Sequence, residues 1–161
     1  MFEHPIHTVL LVDDNPDDCE MIREAWEEMP IGENLRVLYD GIDLLDYLYR
    51  RGTYVTREGA PRPSVILLDL NMPFVSGEEV LAEMKKDLTL SCIPIVILTT
   101  SKSPKDIFQT ARLGVNGFIQ KPPTYSGYLQ MLANIRDHWA EIRTCSMFGG
   151  REDWGGNLAR R

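Results

Sequence analysis

Six residues able to do chemistry stand in four short motifs: Asp13 and Asp14 after Val12, Asp69 and Asn71 after Leu68, Thr99 after Leu98, and Lys121 before Pro122. If the fold directs Asp13, Asp14 and Asp69 into one crevice, the three carboxylates repel one another, and each pKa rises unless a cation neutralises the cluster. A hard divalent ion is the simple remedy. Carboxylate and carbonyl oxygens without His or Cys suit Mg2+, which keeps several waters and completes its shell with phosphate oxygens.

These residues meet only if the elements between them bring the motifs to one edge. Apolar runs of strand length alternate with helix-period segments, and the alternation repeats five times. That pattern predicts a doubly wound α/β domain, a five-stranded parallel sheet with helices on both faces. The strands are expected at 8–12, 35–38, 65–68, 95–98 and 117–120, and every chemically capable residue above then falls just past the C-terminal end of a strand. In an open α/β sheet that edge is where ligands bind.

The helices have their own signals. Asn15 suits a cap and Pro16 the first helical position, while Asp17 and Asp18 favour the positive end of the helix. Met21, Ile22, Ala25, Trp26 and Met29 then recur on one face. After Asp40-Gly41, the residues Ile42, Leu45, Leu48 and Tyr49 are expected to point inward. Ser76 and Glu79 have capping-box spacing ahead of Val80, Leu81 and Met84. Ser103-Pro104 opens a fourth helix that ends at Leu113-Gly114. A fifth, 125–143, places Leu129, Leu132, Ile135, Trp139 and Ile142 at spacings of three or four. The loop 53–63 is polar and long for such a unit.

Composition narrows the function classes. At 161 residues the chain fits one domain, expected over 1–143, with a glycine-containing and mobile tail over 144–161. A net charge of −7 disfavours phosphate backbones and anionic membranes, so neither nucleic acid nor a membrane is an expected partner. No apolar stretch reaches the ~18–20 residues of a membrane span, and the N-terminus is no signal peptide. Cys19, Cys92 and Cys145 form neither a C-x-x-C pair nor an even set, and a reducing cytoplasm is the expected location. His4, His7 and His138 lack metal-ligand spacing.

Val12-Asp13-Asp14, Leu68-Asp69-Leu70-Asn71-Met72-Pro73 with Gly77, Leu98-Thr99, and Gly117-Phe118-Ile119-Gln120-Lys121-Pro122 together resemble the receiver domain of bacterial response regulators, over about residues 6–143. The resemblance implies the flavodoxin-like strand order 2-1-3-4-5. It implies that Asp69 accepts a phosphoryl group from a histidine kinase, and that Asp13, Asp14, Asp69 and the backbone carbonyl of Asn71 hold Mg2+. Lys121 and Thr99 would then contact the phosphoryl oxygens. Phe118 would be a switch aromatic that rotates inward as Thr99 moves, and the Lys121–Pro122 peptide would be cis. Thr100 and Ser101 depart from the commonest pattern after the switch threonine, and Ser101 bears on the phosphate's lifetime.

Leu48-Tyr49-Arg50-Arg51-Gly52 and Ala60-Pro61-Arg62-Pro63, in the long insert, make the chain most similar to single-domain regulators paired with bacterial phytochromes. That likeness implies a phytochrome-type kinase and a homodimer through helix four, strand five and helix five, with Phe148 and Trp154 of the tail as apolar anchors. The protein would be a phosphoacceptor with slow autodephosphorylation rather than an enzyme. A Mg2+-dependent phosphohydrolase is the rival class, but its nucleophile follows the first strand in a D-x-D pattern, whereas Asp69 follows the third and reads D-x-N. A receiver fold kept only for binding would have lost an acid or Lys121, and none is lost.

Overall fold

The computed structural model describes residues 6–56 and 59–144. His4, Cys145, Phe148 and Trp154 lie outside the described residues, as does all of the expected tail but Thr144. Five parallel strands, β1 (Thr8–Val12), β2 (Asn34–Leu38), β3 (Val65–Leu68), β4 (Ile95–Thr99) and β5 (Gly117–Gln120), lie in the order β2-β1-β3-β4-β5, as expected. The register pairs Val12 with both Leu38 and Leu68, Leu68 with Ile97, and Thr99 with Gln120, so the C-terminal ends of all five strands finish on one edge.

Alternation along the strands builds two cores, because successive side chains leave a strand on opposite faces. Val9, Leu11, Leu67, Val96 and Leu98 face α1 (Pro16–Glu28) and α5 (Tyr125–Asp137), where Ile22, Ala25, Leu132 and Ile135 are buried. Leu10, Val12, Ile66, Leu68, Ile95 and Ile97 face α2 (Gly41–Tyr49) and α3 (Gly77–Met84). The strands at the centre are apolar on both sides, which is why β3 reads as an uninterrupted run.

Capping matches expectation at two helices. Asn15 Oδ1 accepts from the N–H groups of Asp17 and Asp18, and Ser76 and Glu79 form the reciprocal capping box of α3. α4 (Pro104–Arg112) opens at Ser103-Pro104 as expected, with no side-chain cap from Ser103, whose N–H donates to Ser101 Oγ.

Three expectations are corrected. In α2 the buried residues are Gly41, Leu44 and Tyr47, whereas Ile42 is half exposed and Leu45, Leu48 and Tyr49 are only partly covered. The inward face is rotated because the long loop folds back over the helix: Tyr47 Oη donates to Pro61 O at 2.6 Å, Arg36 Nη1 donates to Gly59 O at 2.7 Å, and Ala60 is buried. The last helix is broken into α5 and α6 (Trp139–Ile142) at His138, whose backbone N–H and ring Nδ1 both approach Asn134 O. Asn116 fastens α6 to the sheet, its Nδ2 donating to Ile142 O at 2.7 Å while its Oδ1 accepts from Ile95 N. The Lys121–Pro122 peptide is trans, the isomer an X–Pro bond prefers by ~0.5–1 kcal/mol.

Candidate functional site

The site is built where strand ends stop pairing and turn outward. Asp13 N–H donates to Leu38 O and Asp69 N–H to Val12 O, so each acid is fixed by the last rung of a ladder while its side chain leaves the sheet edge. Asp13 Oδ1 accepts from Asn15 N at 3.0 Å, an Asx-type turn that carries the chain into α1. Gly77 lets the loop after β3 close against the acceptor strand: an added Cβ there would lie 2.5 Å from Asp69 O.

Asp13, Asp14 and Asp69 come together. One carboxylate oxygen from each lies within 4.8 Å of the other two, with Asp13 and Asp69 buried and Asp14 exposed. Lys121 faces them from just past the end of β5, where its N–H donates to Thr99 O. Its Nζ is 2.7 Å from Asp13 Oδ2 and 3.6 Å from Asp69 Oδ2, and its side chain is only 6% exposed. Asp13 Oδ2 is buried, and the Lys121 ammonium is the cation that faces it. Thr99 is fully buried, and its Oγ1 accepts from Asn71 Nδ2 at 3.4 Å and Ser101 N at 3.3 Å. Ser101 Oγ in turn donates to Asp106 Oδ2 at 2.5 Å, which ties the β4–α4 loop to α4.

Burial and the Asp13 charge push the Asp69 carboxyl up to about 6, with Lys121 and the Asn71 N–H pulling the other way. Burial works against the Lys121 ammonium, but Asp13 and Asp18 more than offset it and hold the lysine charged above its ordinary range. An acid with a raised pKa beside a buried cation, at a strand edge, is the electrostatic signature of a functional site.

Phe118 differs from its expected starting position. It is already inward, 2% exposed in the α2–α3 core opposite Ile97, because β5 aims that side of the strand into the sheet layer. One residue of the site was read in the sequence only as a favourable charge on a helix. Asp18 Oδ2 lies 2.8 Å from Lys121 Nζ. Its position one helical turn after Asp14, on a helix opening at the site, was the available signal. Cys19 follows it, buried, with Sγ donating to Asp13 O at 3.4 Å and its thiol pushed up to about 12 by burial and the Asp13 charge. That is an inert packing thiol.

An acidic trio with a facing lysine at the C-terminal edge of a 2-1-3-4-5 sheet defines a class, and the sequence comparison agrees: the response regulator receiver domain family matches residues 9–133, and the chain belongs to it. Response regulator Rcp1 of Synechocystis sp. is 36% identical over 141 residues, covering 88% of this chain and 94% of that protein. The crystal structure of the Mn2+-bound form of Rcp1 superposes with a TM-score of 0.73 at 35% identity, covering 86% of this chain and 96% of the other. The phosphorylated cyanobacterial phytochrome response regulator RcpA superposes with a TM-score of 0.76 at 38% identity, covering 84% and 94%.

The donor set fits a divalent cation: three carboxylates in mutual reach and hard oxygen throughout.

Proposed function

We propose that this protein is the phosphoacceptor of a two-component pathway and that Asp69 takes the phosphoryl group from a phytochrome-type histidine kinase. The observation that carries this is the convergence of Asp13, Asp14 and Asp69 around one point that the Lys121 ammonium also faces. Mg2+, held by Asp13, Asp14, Asp69 and the carbonyl of Asn71, would neutralise the phosphoryl oxygens. An Asp69 oxygen attacks phosphorus in line as the P–N bond to the donor imidazole breaks, leaving an aspartyl phosphate on Asp69 and neutral imidazole after proton uptake. Lys121 turns from Asp13 and Asp69 to a phosphoryl oxygen, and most of the acceleration comes from positioning and charge neutralisation. Slow attack by water returns Asp69. The protein is a signalling acceptor rather than an enzyme with a separate substrate.

In this reading Thr99 and Phe118 carry the signal. The Thr99 hydroxyl exchanges Asn71 and Ser101 for the phosphoryl group, and Phe118, already inward, is held there. The output is self-association through α4, β5 and α5. On that face Phe108 of α4 is exposed beneath the Arg112 guanidinium, 5.8 Å from its ring centroid. A cytoplasmic location belongs to the same reading; among the described residues no helix is long and apolar enough to cross a membrane.

The test is phosphotransfer from autophosphorylated histidine kinases, a bacteriophytochrome among them, to the wild-type chain and to Asp69→Asn. Labelling is expected on the wild type alone and only with Mg2+. Undiminished labelling of Asp69→Asn, or labelling in excess chelator, sinks the proposal. Sedimentation of the unphosphorylated and phosphorylated forms tests the dimer; a monomer in both at high micromolar concentration removes it.

A further inference from the structure

We infer that Phe74 is a docking residue for the protein that donates the phosphoryl group; this rests on the reading of Asp69 as phosphoacceptor. Phe74 has φ +67° and is 90% exposed. A bulky side chain rarely takes left-handed backbone, because its Cβ crowds the carbonyl, and glycine or asparagine would take the same turn with less strain. An exposed ring recovers none of that cost through burial. The fold therefore has no use for phenylalanine here, and strained positions of this kind gather at functional sites.

The ring's direction is set by its loop. Met72 is buried and Val75 packs on the α2–α3 core, while Val75 N donates to Pro73 O at 2.8 Å and Gly77 N to Leu70 O at 2.9 Å. With Met72 and Val75 turned inward and the loop closed by two backbone bonds, Phe74 is held pointing outward.

That loop borders the acceptor. It starts directly after Asp69 and ends at Gly77, whose missing Cβ would touch Asp69 O. Three residues span at most ~11 Å, so the Phe74 Cα stands within that distance of Gly77. Ile42, 50% exposed, follows Gly41, whose own Cβ would lie 2.9 Å from Val75 O, and so adds to the same rim. A protein that brings a phosphohistidine in line with Asp69 must cover this rim, and a rigid exposed aromatic is the residue type that anchors such contacts. A small donor reaches Asp69 without touching it. The occupant is thus the phosphodonor protein, offering an apolar pocket to Phe74.

The experiment compares two donors on the full chain with Mg2+: acetyl phosphate, and the autophosphorylated histidine kinase that transfers fastest to wild type. Phe74→Gly and Phe74→Asn are expected to raise the KM for the kinase by about tenfold or more with kcat little changed, while acetyl phosphate uptake stays within about twofold. Phe74→Tyr, which keeps the ring, restores kinase transfer, and no variant melts below wild type. Unchanged kinase transfer in Phe74→Gly and Phe74→Asn overturns the inference, as does equal slowing with both donors, which would assign Phe74 to the geometry of the loop. If wild type accepts phosphate from neither donor, it is the phosphoacceptor reading itself that falls.

Discussion

The Lys121 ammonium lies 2.8 Å from Asp18 Oδ2, and Asp18 stands outside the trio whose oxygens could share a cation. Any cation drawn to Asp13 competes with the lysine for that carboxylate, whereas Asp18 stays available to hold Lys121 in place. Asp18→Asn removes one negative charge at the cost of little shape. Loss of one attraction across several ångströms in a partly screened site is worth about 1 kcal/mol, so the Mg2+ dissociation constant should rise about fivefold. Titration of tryptophan fluorescence with Mg2+ measures it, and an unchanged constant would show that Asp18 does not contribute to the site's field.

Asp69 makes a stability prediction with a definite sign. Its folded-state pKa of about 6 is above the ordinary 3.8, so the folded protein holds the proton more tightly than the unfolded chain does. The associated stability is fully present below about pH 4 and is lost as pH rises through 6. At pH 7 without divalent cation, Asp69→Asn should therefore be more stable than wild type by about 1–3 kcal/mol. Thermal melts in chelator from pH 4 to 8 should show the two curves separating between pH 4 and 6.

The same proton competes with the cation. Below pH 6 the apparent Mg2+ affinity should fall by about tenfold per unit if one proton is displaced, and it should level off above pH 7. A titration flat from pH 5 to 8 would mean that Asp69 is not a ligand.

Gly77→Ala tests how closely the loop is fitted to the acceptor. The new methyl would meet Asp69 O at 2.5 Å and Leu70 Cα at 2.8 Å, both backbone atoms with little freedom to move. Overpacking of this kind costs about 1–3 kcal/mol. A lowered melting temperature is expected, together with slower uptake from acetyl phosphate as Asp69 is displaced.

Thr99→Ala leaves the Ser101 N–H and the Asn71 amide without their acceptor. Phosphate uptake should persist, because no carboxylate is lost. The response to it should not: hydrogen exchange in α4 and β5 should change on acetyl phosphate addition in wild type and stay unchanged in the variant. An equal response in both would remove Thr99 from the signal route.

Much of this protein was legible from local chemistry. Strand positions, the 2-1-3-4-5 order, the Asn15 cap, the Ser76–Glu79 capping box and the gathering of Asp13, Asp14, Asp69 and Lys121 at one edge agree with expectation. The strand positions, the caps and the shared edge depend on residues near in sequence, or on the rule that parallel strands share one C-terminal edge, whereas the strand order was implied by the resemblance to the receiver family. What only the tertiary structure decided depends on segments that meet from far apart. The inward face of α2 was set by the loop that Tyr47 and Arg36 tie down, and the break before α6 by the bonds that converge on Asn134 O and by Asn116, just ahead of β5, reaching across to Ile142 O. Asp18 became part of the site only because Lys121, 103 residues away, crosses to it. A sequence shows which residues have charge, shape and periodicity, but two side chains compete for one partner only when the fold puts them within reach.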